Sequence, residues 1–412
     1  MMFTASRSWL VDVYSPAFPG ISLRLPECKL THNSPERNGL HSANSVVMMN
    51  TMKPITLYDV ARLAGVSYQT VSRVINQGAH VSVRTREKVM AAMAELHYIP
   101  NRGAQQLAGK RTRTLGLLTA DLALHAPSQI AAAVKSRAGQ VGVSVIISML
   151  EQHDDAACRV ALQELLAQRV EGLVVNVPLD DERAIMLAEL AQPVPALFLD
   201  VSEAAPVNSL IFDAGQGAHL GVSHLLALGH QRIALLGGPA SSVSARARLS
   251  GWTSALEAAD LAPCGCEHGD WSAASGYEKG HQLLAVSPLP QAILVANDQM
   301  ALGVIRACTE KGVRVPGDIS VVGYDDTADS AWYSPPLTTV RQAFRDAGER
   351  SVDWLLAQQA DPAECPLQMR LPVTLIERNS TSPATRAEVS GENLARQLHE
   401  LAQLAAQLDR RN

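Results

Sequence analysis

Apolar residues between Thr56 and Leu96 fall into three short blocks at helical spacing. Leu57, Val60 and Leu63 form one stripe, Val66, Val71, Val74 and Ile75 a second, and Val89, Ala92, Met93 and Leu96 a third, the three-to-four-residue period of amphipathic helices. Thr56 and Asp59 make a capping pair for the first block, Gly65 permits the turn into the second, and Pro100 closes the third, which is predicted to run from Arg84 to Leu96. Helix, tight turn, helix, bracing helix is a helix-turn-helix layout. On the second helix the face opposite the stripe collects Tyr68, Gln69, Ser72, Arg73 and Asn76, all long or polar hydrogen-bonding side chains.

From Thr114 the period changes. "TLGLLTAD", "VSVIISML", "GLVVNVP", "VPALFLD", "RIALLGGP", "AILVAND" and "SVVGYDD" read as buried strands with amphipathic helices between several of them. The alternation implies parallel sheets covered on both faces, and this many units implies two such sheets. Ligands in such folds lie beyond the carboxyl ends of strands, where this chain places Asp121, Asn176, Asp200, Asn297, Asp298, Asp325 and Asp326. Near the end, Leu394, Leu398, Leu401, Ala405 and Leu408 alternate four- and three-residue steps, a short heptad seam that predicts helical self-association. Residues 1–51 have no sustained period and are assigned no fold; two readings fit them, an unstructured tail and an upstream extension of a chain whose natural start is Met52.

Composition sharpens this outline. A chain of 412 residues with 47% hydrophobic and 18% charged residues is ordinary multi-domain globular protein. No apolar run is long enough for a membrane span and the N-terminus does not read as an export signal, so a cytoplasmic protein without membrane partners is expected. The net charge of -5 is unevenly distributed. Between Met52 and Arg113 ten basic residues face three acidic ones, a balance of +7 that leaves -12 for the remainder. One segment is therefore suited to phosphate and the rest is not. The six cysteines are scattered; Cys264 and Cys266 form a C-x-C, but His268 alone does not complete zinc spacing, and no metal or cofactor is expected.

The residues "KPITLYDVARLAGVSYQTVSRVINQ", "REKVMAAMAELHYIPN", "AQQLAGK", "SSVSARARLSGW", "VANDQMALG" and "ISVVGYDDT" resemble, in order, the LacI family of transcriptional regulators, and the resemblance covers about 360 residues from Met52 onward. It implies a helix-turn-helix headpiece over 52–100, a hinge helix over 101–110, a sugar-binding core of two Rossmann-like subdomains over 111–380 that is similar to periplasmic binding proteins, and a linker with a tetramerisation helix over 381–412. Tyr68, Gln69 and Arg73 would read base edges in the major groove of operator DNA, where Gln suits adenine and Arg guanine. Ser67, Thr70, Asn76, His80, Ser82 and Thr85 would position phosphates, Asn101 would join this interface, and Leu107 of paired hinges would wedge into the minor groove. In the core, Asn176, Asp200, Arg248, Asn297 and Asp325 would bind sugar hydroxyls, Trp271 would stack on the ring, Leu124, Ile130, Phe212 and Phe344 would wall the apolar side, and Ser244 and Gln342 would lie near. The implied function is a homodimeric repressor, joined into a homotetramer by the seam and released from DNA by a β-galactoside inducer.

The chain departs from the family members that it resembles most at three places. Gly103 replaces a branched aliphatic residue in the hinge, Ala120 a serine, and Val177 a tyrosine, the latter two expected at the pocket. Three rival readings remain: a sugar-binding module without DNA function, an enzyme on this scaffold, and a regulator answering another sugar or a purine. No G-x-S-x-G elbow, phosphate-binding loop or H-E-x-x-H supports the enzyme. Glycine inside a helix costs about 1 kcal/mol, so Gly103→Val is expected to raise operator affinity and flatten its salt dependence; a titration showing no gain would refute the weakened hinge.

Overall fold

The computed structural model describes residues 55–75, 81–100, 112–150, 154–361, 367–384 and His399. The chain divides into two compact units, Met1–Pro100 and Asn101–Asn412.

In the first unit, α1 (Leu57–Ala64), α2 (Tyr68–Ile75) and α3 (Val83–Glu95) enclose a small core of Val60, Ala61, Val71, Val74, Val89 and Ala92. The Thr56 backbone N–H and hydroxyl both donate to the Asp59 carboxylate, at 2.9 and 2.7 Å, which fixes the start of α1. Gly65 at φ 66° ends it, a backbone conformation that only glycine adopts without cost. One expected core residue is outside: Leu63 is 43% exposed, and Ala61 takes the inward place instead. With helices of eight residues the angular stripe is narrow, and the small alanine sits closer to the α1–α3 contact.

The second unit has two six-stranded sheets. The first sheet has the order β11-β5-β4-β3-β1-β2, from β1 (Thr114–Thr119), β2 (Ser144–Met149), β3 (Gly172–Asn176), β4 (Ala196–Phe198), β5 (Ser209–Phe212) and β11 (Gln368–Leu371). The second has the order β12-β10-β9-β8-β6-β7, from β6 (Ile233–Gly237), β7 (Gly265–His268), β8 (Ala292–Val295), β9 (Ser320–Asp325), β10 (Thr338–Arg341) and β12 (Thr374–Ile376). All pairings are parallel except β10 with β12. Buried apolar clusters cover both faces of the first sheet, and one large cluster fills the second subdomain. This is the expected α/β architecture.

The chain crosses between subdomains three times: after β5 into α7 (Ala214–Ala227), after β10 into α11 (Phe344–Ala360), and between β11 and β12. Residues 381–384 are packed onto the second subdomain, with Ala384 N–H donating to Leu228 O at 2.8 Å and the Ser382 carbonyl 2.9 Å from His230 Nε2.

Helix α11 returns to the first subdomain and lies against α4 (His125–Gln140). The approach is close because position 348 has no side chain: a Cβ on Gly348 would sit 2.6 Å from the Ala133 Cβ and 2.9 Å from the Ile130 carbonyl. Gly348→Ala is expected to destabilise the core by about 1–3 kcal/mol through overpacking, read as a lower melting temperature; an unchanged melting temperature would show that the helices separate freely.

Candidate nucleic-acid face and effector cavity

On the headpiece, α2 buries Val71 and Val74 and leaves Tyr68, Gln69 and Arg73 exposed on the other side. Ser67 and Thr70 share a hydroxyl contact of 2.9 Å at the start of α2, where Ser67 Oγ also accepts the Thr70 N–H. Ser82 and Thr85 repeat that arrangement at the start of α3. Each pair therefore caps a helix N-terminus, a place where free N–H groups and the helix dipole favour phosphate oxygens. Asn76, His80, Asn101, Gly103 and Leu107 lie outside the described residues. The sequence reading missed Tyr58, which is 65% exposed and stacked on Tyr68 with ring centroids 4.8 Å apart. The signal was available, since positions 58 and 68 are the exposed aromatics of two helices joined by a three-residue turn.

In the core, a cavity of about 830 Å³ opens between the subdomains, and all twelve residues singled out from the sequence line it. The first subdomain supplies Leu124 and Ile130 from the start of α4, Asn176 from the end of β3, and Asp200 just beyond β4. The second supplies Ser244 and Arg248 from α8 (Val243–Glu257), Trp271 from the segment after β7, Asn297 after β8, and Asp325 at the end of β9. Phe212, Gln342 and Phe344 come from two of the crossings. Ala120 lines the cavity, but Val177 does not: it is buried in the first subdomain's core, so a change there cannot act by direct contact.

Arg248 is the centre of the charge arrangement. Its guanidinium is buried, donates Nη1 to the Ala296 carbonyl and Nη2 to Gln342 Oε1 at 2.8 Å, and has Asp325 Oδ1 at 3.4 Å. Its Cζ lies 4.1 Å from the Tyr324 ring centroid and 5.5 Å from that of Trp271, cation–π geometry on both sides. The Trp271 ring lies against the backbone at Gly238, where a Cβ would overlap it. Trp271 and Asp325 on the cavity wall and the adjoining Asp326 have positive φ, 77°, 112° and 57°, so the wall includes strained backbone.

Burial pushes the Asp325 carboxyl up to about 7; Arg248 opposes the shift, and the nearby Asp298 adds to it. The Arg248 guanidinium at 3.4 Å does not offset the cost of burying the carboxylate completely. Burial also pushes Asp200 up, against hydrogen bonds from Ser244 of the facing subdomain. Asp200 Oδ1 and Asn176 Nδ2 are buried without hydrogen-bond partners. His125, a cavity residue that the sequence reading missed, packs edge-on against Phe344 at 5.7 Å, and burial lowers its imidazole pKa. A histidine opening the first helix after a strand end was the legible sign. Among the described residues no cluster could hold a metal, and no helix is long and apolar enough to cross a membrane.

Comparison with known proteins gives concordant results. Residues 56–101 match the family described as "Bacterial regulatory proteins, lacI family", and residues 222–381 a periplasmic binding protein-like domain. The chain is 57% identical over 358 residues to the lactose operon repressor of Escherichia coli (strain K12), covering 87% of this chain and 99% of that protein. It is 46% identical over 340 residues to the lactose operon repressor of Klebsiella pneumoniae, covering 82% and 96%. A crystal structure of the lac repressor dimer bound to operator and the anti-inducer ONPF superposes with a TM-score of 0.77 at 59% identity, covering 80% of this chain and all of that one.

A carboxyl with a folded pKa near 7 is protonated in the fold at acid pH and costs stability once it ionises. The contribution is fully present below about pH 4 and is lost as the pH rises through about 7. Asp325→Asn cannot ionise, so its stability relative to the parent is expected to rise between pH 5 and pH 8 by on the order of 1–4 kcal/mol. Calorimetric melts of both proteins showing a constant difference over that range would refute this.

Proposed function

This chain belongs to the LacI family of bacterial regulatory proteins, and from that premise we infer that it represses a lactose-type operon and leaves its operator when a β-galactoside fills the core cavity. It is a DNA-binding regulator and not an enzyme, as are the lactose operon repressors to which it is similar over nearly their whole length. It uses no cofactor; its small-molecule effector is a sugar, in keeping with lac repressor structures bound to ONPG and ONPF. Such a regulator works in the cytoplasm, at the nucleoid.

The observation that carries the effector reading is the set of buried polar atoms on the cavity wall without a hydrogen-bond partner in the chain: Asn176 Nδ2 and Asp200 Oδ1 on one subdomain, and on the other Asp325 Oδ1, which has only its ion pair with Arg248. A buried polar atom without a partner costs about 1–3 kcal/mol. Sugar hydroxyls donate and accept, so one ring can relieve all three, with the Trp271 indole suited to its apolar face and Leu124, Ile130, Phe212 and Phe344 to an apolar substituent. Because these atoms belong to both subdomains, a bound sugar favours one relative orientation of the two. That preference biases the hinge segments and hence the headpieces, by a coupling commonly of about 1–3 kcal/mol that acts equally in both directions.

On the headpiece, Tyr68, Gln69 and Arg73 contact base edges, with Tyr58 setting the plane of Tyr68. Ser67, Thr70, Ser82 and Thr85, together with Asn76, His80 and Asn101, hold phosphates, and Leu107 enters the minor groove. Two cores form the dimer, and the C-terminal seam joins dimers into a tetramer, in line with the lac repressor that is dimeric after an 11-residue C-terminal deletion. A tetramer holds two operators at once and raises local concentration at each. Regulation by a different sugar is the second reading, and it rests on Ala120, where the cavity wall has no hydroxyl.

Titrating a lac-type palindrome in a gel-shift assay, with and without a β-galactoside, is expected to show tight binding and release. An intact complex at saturating galactoside, with calorimetric proof that the sugar binds, would overturn the reading. Arg248→Ala is expected to keep operator affinity and weaken galactoside binding on the order of 100-fold, since it strands Asp325 and Gln342.

A further inference from the structure

Thr112 and Arg113 join the expected hinge, 101–110, to β1. Arg113 holds φ 46°, a left-handed backbone that is unfavourable for any residue with a side chain. It is bonded on three sides. Its N–H donates to Glu171 Oε1 at 3.0 Å, its carbonyl accepts the Ser144 N–H at 2.8 Å, and its guanidinium Nη2 donates to the Val141 carbonyl at 2.8 Å. Val141 closes α4, so the cation meets the negative end of that helix. Glu171 is itself tied down. Its N–H donates to the Thr114 carbonyl at 2.7 Å, its carboxylate lies 3.3 Å from the Thr112 hydroxyl, and its carbonyl accepts Gln359 Nε2 of α11 at 2.9 Å. The same Thr112 hydroxyl donates to the Arg169 carbonyl at 2.7 Å. A cavity of about 490 Å³ opens beside Arg113, Glu171 and Gln359, so hydrogen bonds rather than close packing fix this corner.

We propose that Arg113 and Glu171 are positioning residues, a clamp that fastens the root of the hinge to the far ends of α4 and α11 and so makes operator affinity answer to the effector cavity. Both helices begin at that cavity. Leu124, which caps α4, Ile130 on its second turn, and Phe344, the first residue of α11, all line it. Both helices end at the clamp, α4 through the Val141 carbonyl and α11 through Gln359. Between these ends they are packed on each other where Gly348 meets Ala133. With 16 and 17 residues, each spans about 24 Å, and a hydrogen-bonded helix does not stretch over that length. A sugar that changes the set of the first subdomain at one end of this pair therefore delivers the change at the other. Without the clamp, the root is free to turn about the backbone of Thr112 and Arg113, Arg113 leaves its strained φ, and the motion of the core is lost before it reaches the hinge. The strain persists because the bonds around it over-determine it, as in a joint held at one setting.

The inference rests on the effector-released reading above, and the parent protein separates the two. A β-thiogalactoside is the probe, and two quantities are read for each full-length variant: its Kd for the free protein, and the ratio of operator Kd values with and without saturating probe. That ratio cancels any phosphate attraction lost with Arg113, because the loss enters both values. Arg113→Ala and Glu171→Ala are each expected to leave the galactoside Kd within about twofold of the parent and to lower the operator ratio roughly fivefold or more. The double variant is expected to lower the ratio no further than the worse single one, since members of one clamp are not additive. Glu171→Gln, whose amide oxygen still accepts the Arg113 N–H, is expected to keep the parent ratio, which separates the bond from the charge. Gln359→Leu cuts the tie to α11, lowers the ratio likewise, and serves if the alanine variants do not fold. A ratio unchanged by Arg113→Ala and Glu171→Ala overturns the proposal, as does an additive double variant or a Glu171→Gln protein as impaired as Glu171→Ala. A parent that binds galactoside but stays on the operator defeats the functional reading itself.

Discussion

A buried guanidinium must be satisfied where it stands, and the effector cavity is organised around that constraint at Arg248. The cation is enclosed by the Tyr324 and Trp271 rings, one backbone carbonyl, Gln342 and Asp325. None of these partners is surplus. Gln342 sits on a crossing between subdomains, so the hinge itself contributes a ligand to the arginine. Asp325 is held by a strained turn that two arginines brace, with Asp326 accepting from Arg341 and Arg378 at 2.6 Å each. Strain at a turn persists only when its surroundings over-determine it, and here Arg248 stands beside Asp325 while Arg341 and Arg378 hold Asp326.

The two units use the same device for different anions and hydroxyls. Parallel strands in the core point their carboxyl ends, and the following helices their N-termini, toward one cleft; Ser242 and Asn297 cap two of those helices beside the cavity. On the headpiece Ser67 and Ser82 cap helices at an exposed face. In both places short polar side chains satisfy part of a helix terminus and leave the rest of its positive end for a ligand. The headpiece caps are exposed, as phosphate contact there would require, and the core's caps are buried, as sugar contact would require.

Much of this was legible in the sequence. Strands such as "GLVVNVP" and "SVVGYDD" announce themselves because burial on both faces demands an unbroken apolar run, and the polar residue ending each run marks the cleft. The resemblance then assigned roles to residues that periodicity could only place, and all twelve fall on one cavity wall. What stayed hidden has physical causes. β7 is an edge strand with alternating exposure, and its Cys266 and His268 face outward, so it reads as a loop. β11 and β12 are short, and neither pairs with its sequence neighbour: β11 joins β5, more than 150 residues earlier, and β12 joins β10 across the intervening α11 and β11. Leu63 and Val177 were misplaced because position on a helix face or at a strand end does not say how closely a neighbour approaches. Arg113 was counted only among the basic residues, since nothing local reveals the carbonyl and the carboxylate that two later segments bring to it.

The cavity wall carries polar atoms that its own chain leaves without hydrogen bonds, and these are what a small molecule can engage. Three polar atoms lack hydrogen-bond partners in the chain, two carboxyls sit above their ordinary pKa range, and Trp271, Asp325 and Asp326 hold positive φ. A ligand with equal affinity for two conformations shifts neither. Here the unpartnered atoms are divided between two subdomains joined by three crossings, so only an orientation that brings both sets to the same sugar gains from binding. A wall that satisfied these atoms with partners from its own chain would have fewer groups left with which to sense a sugar.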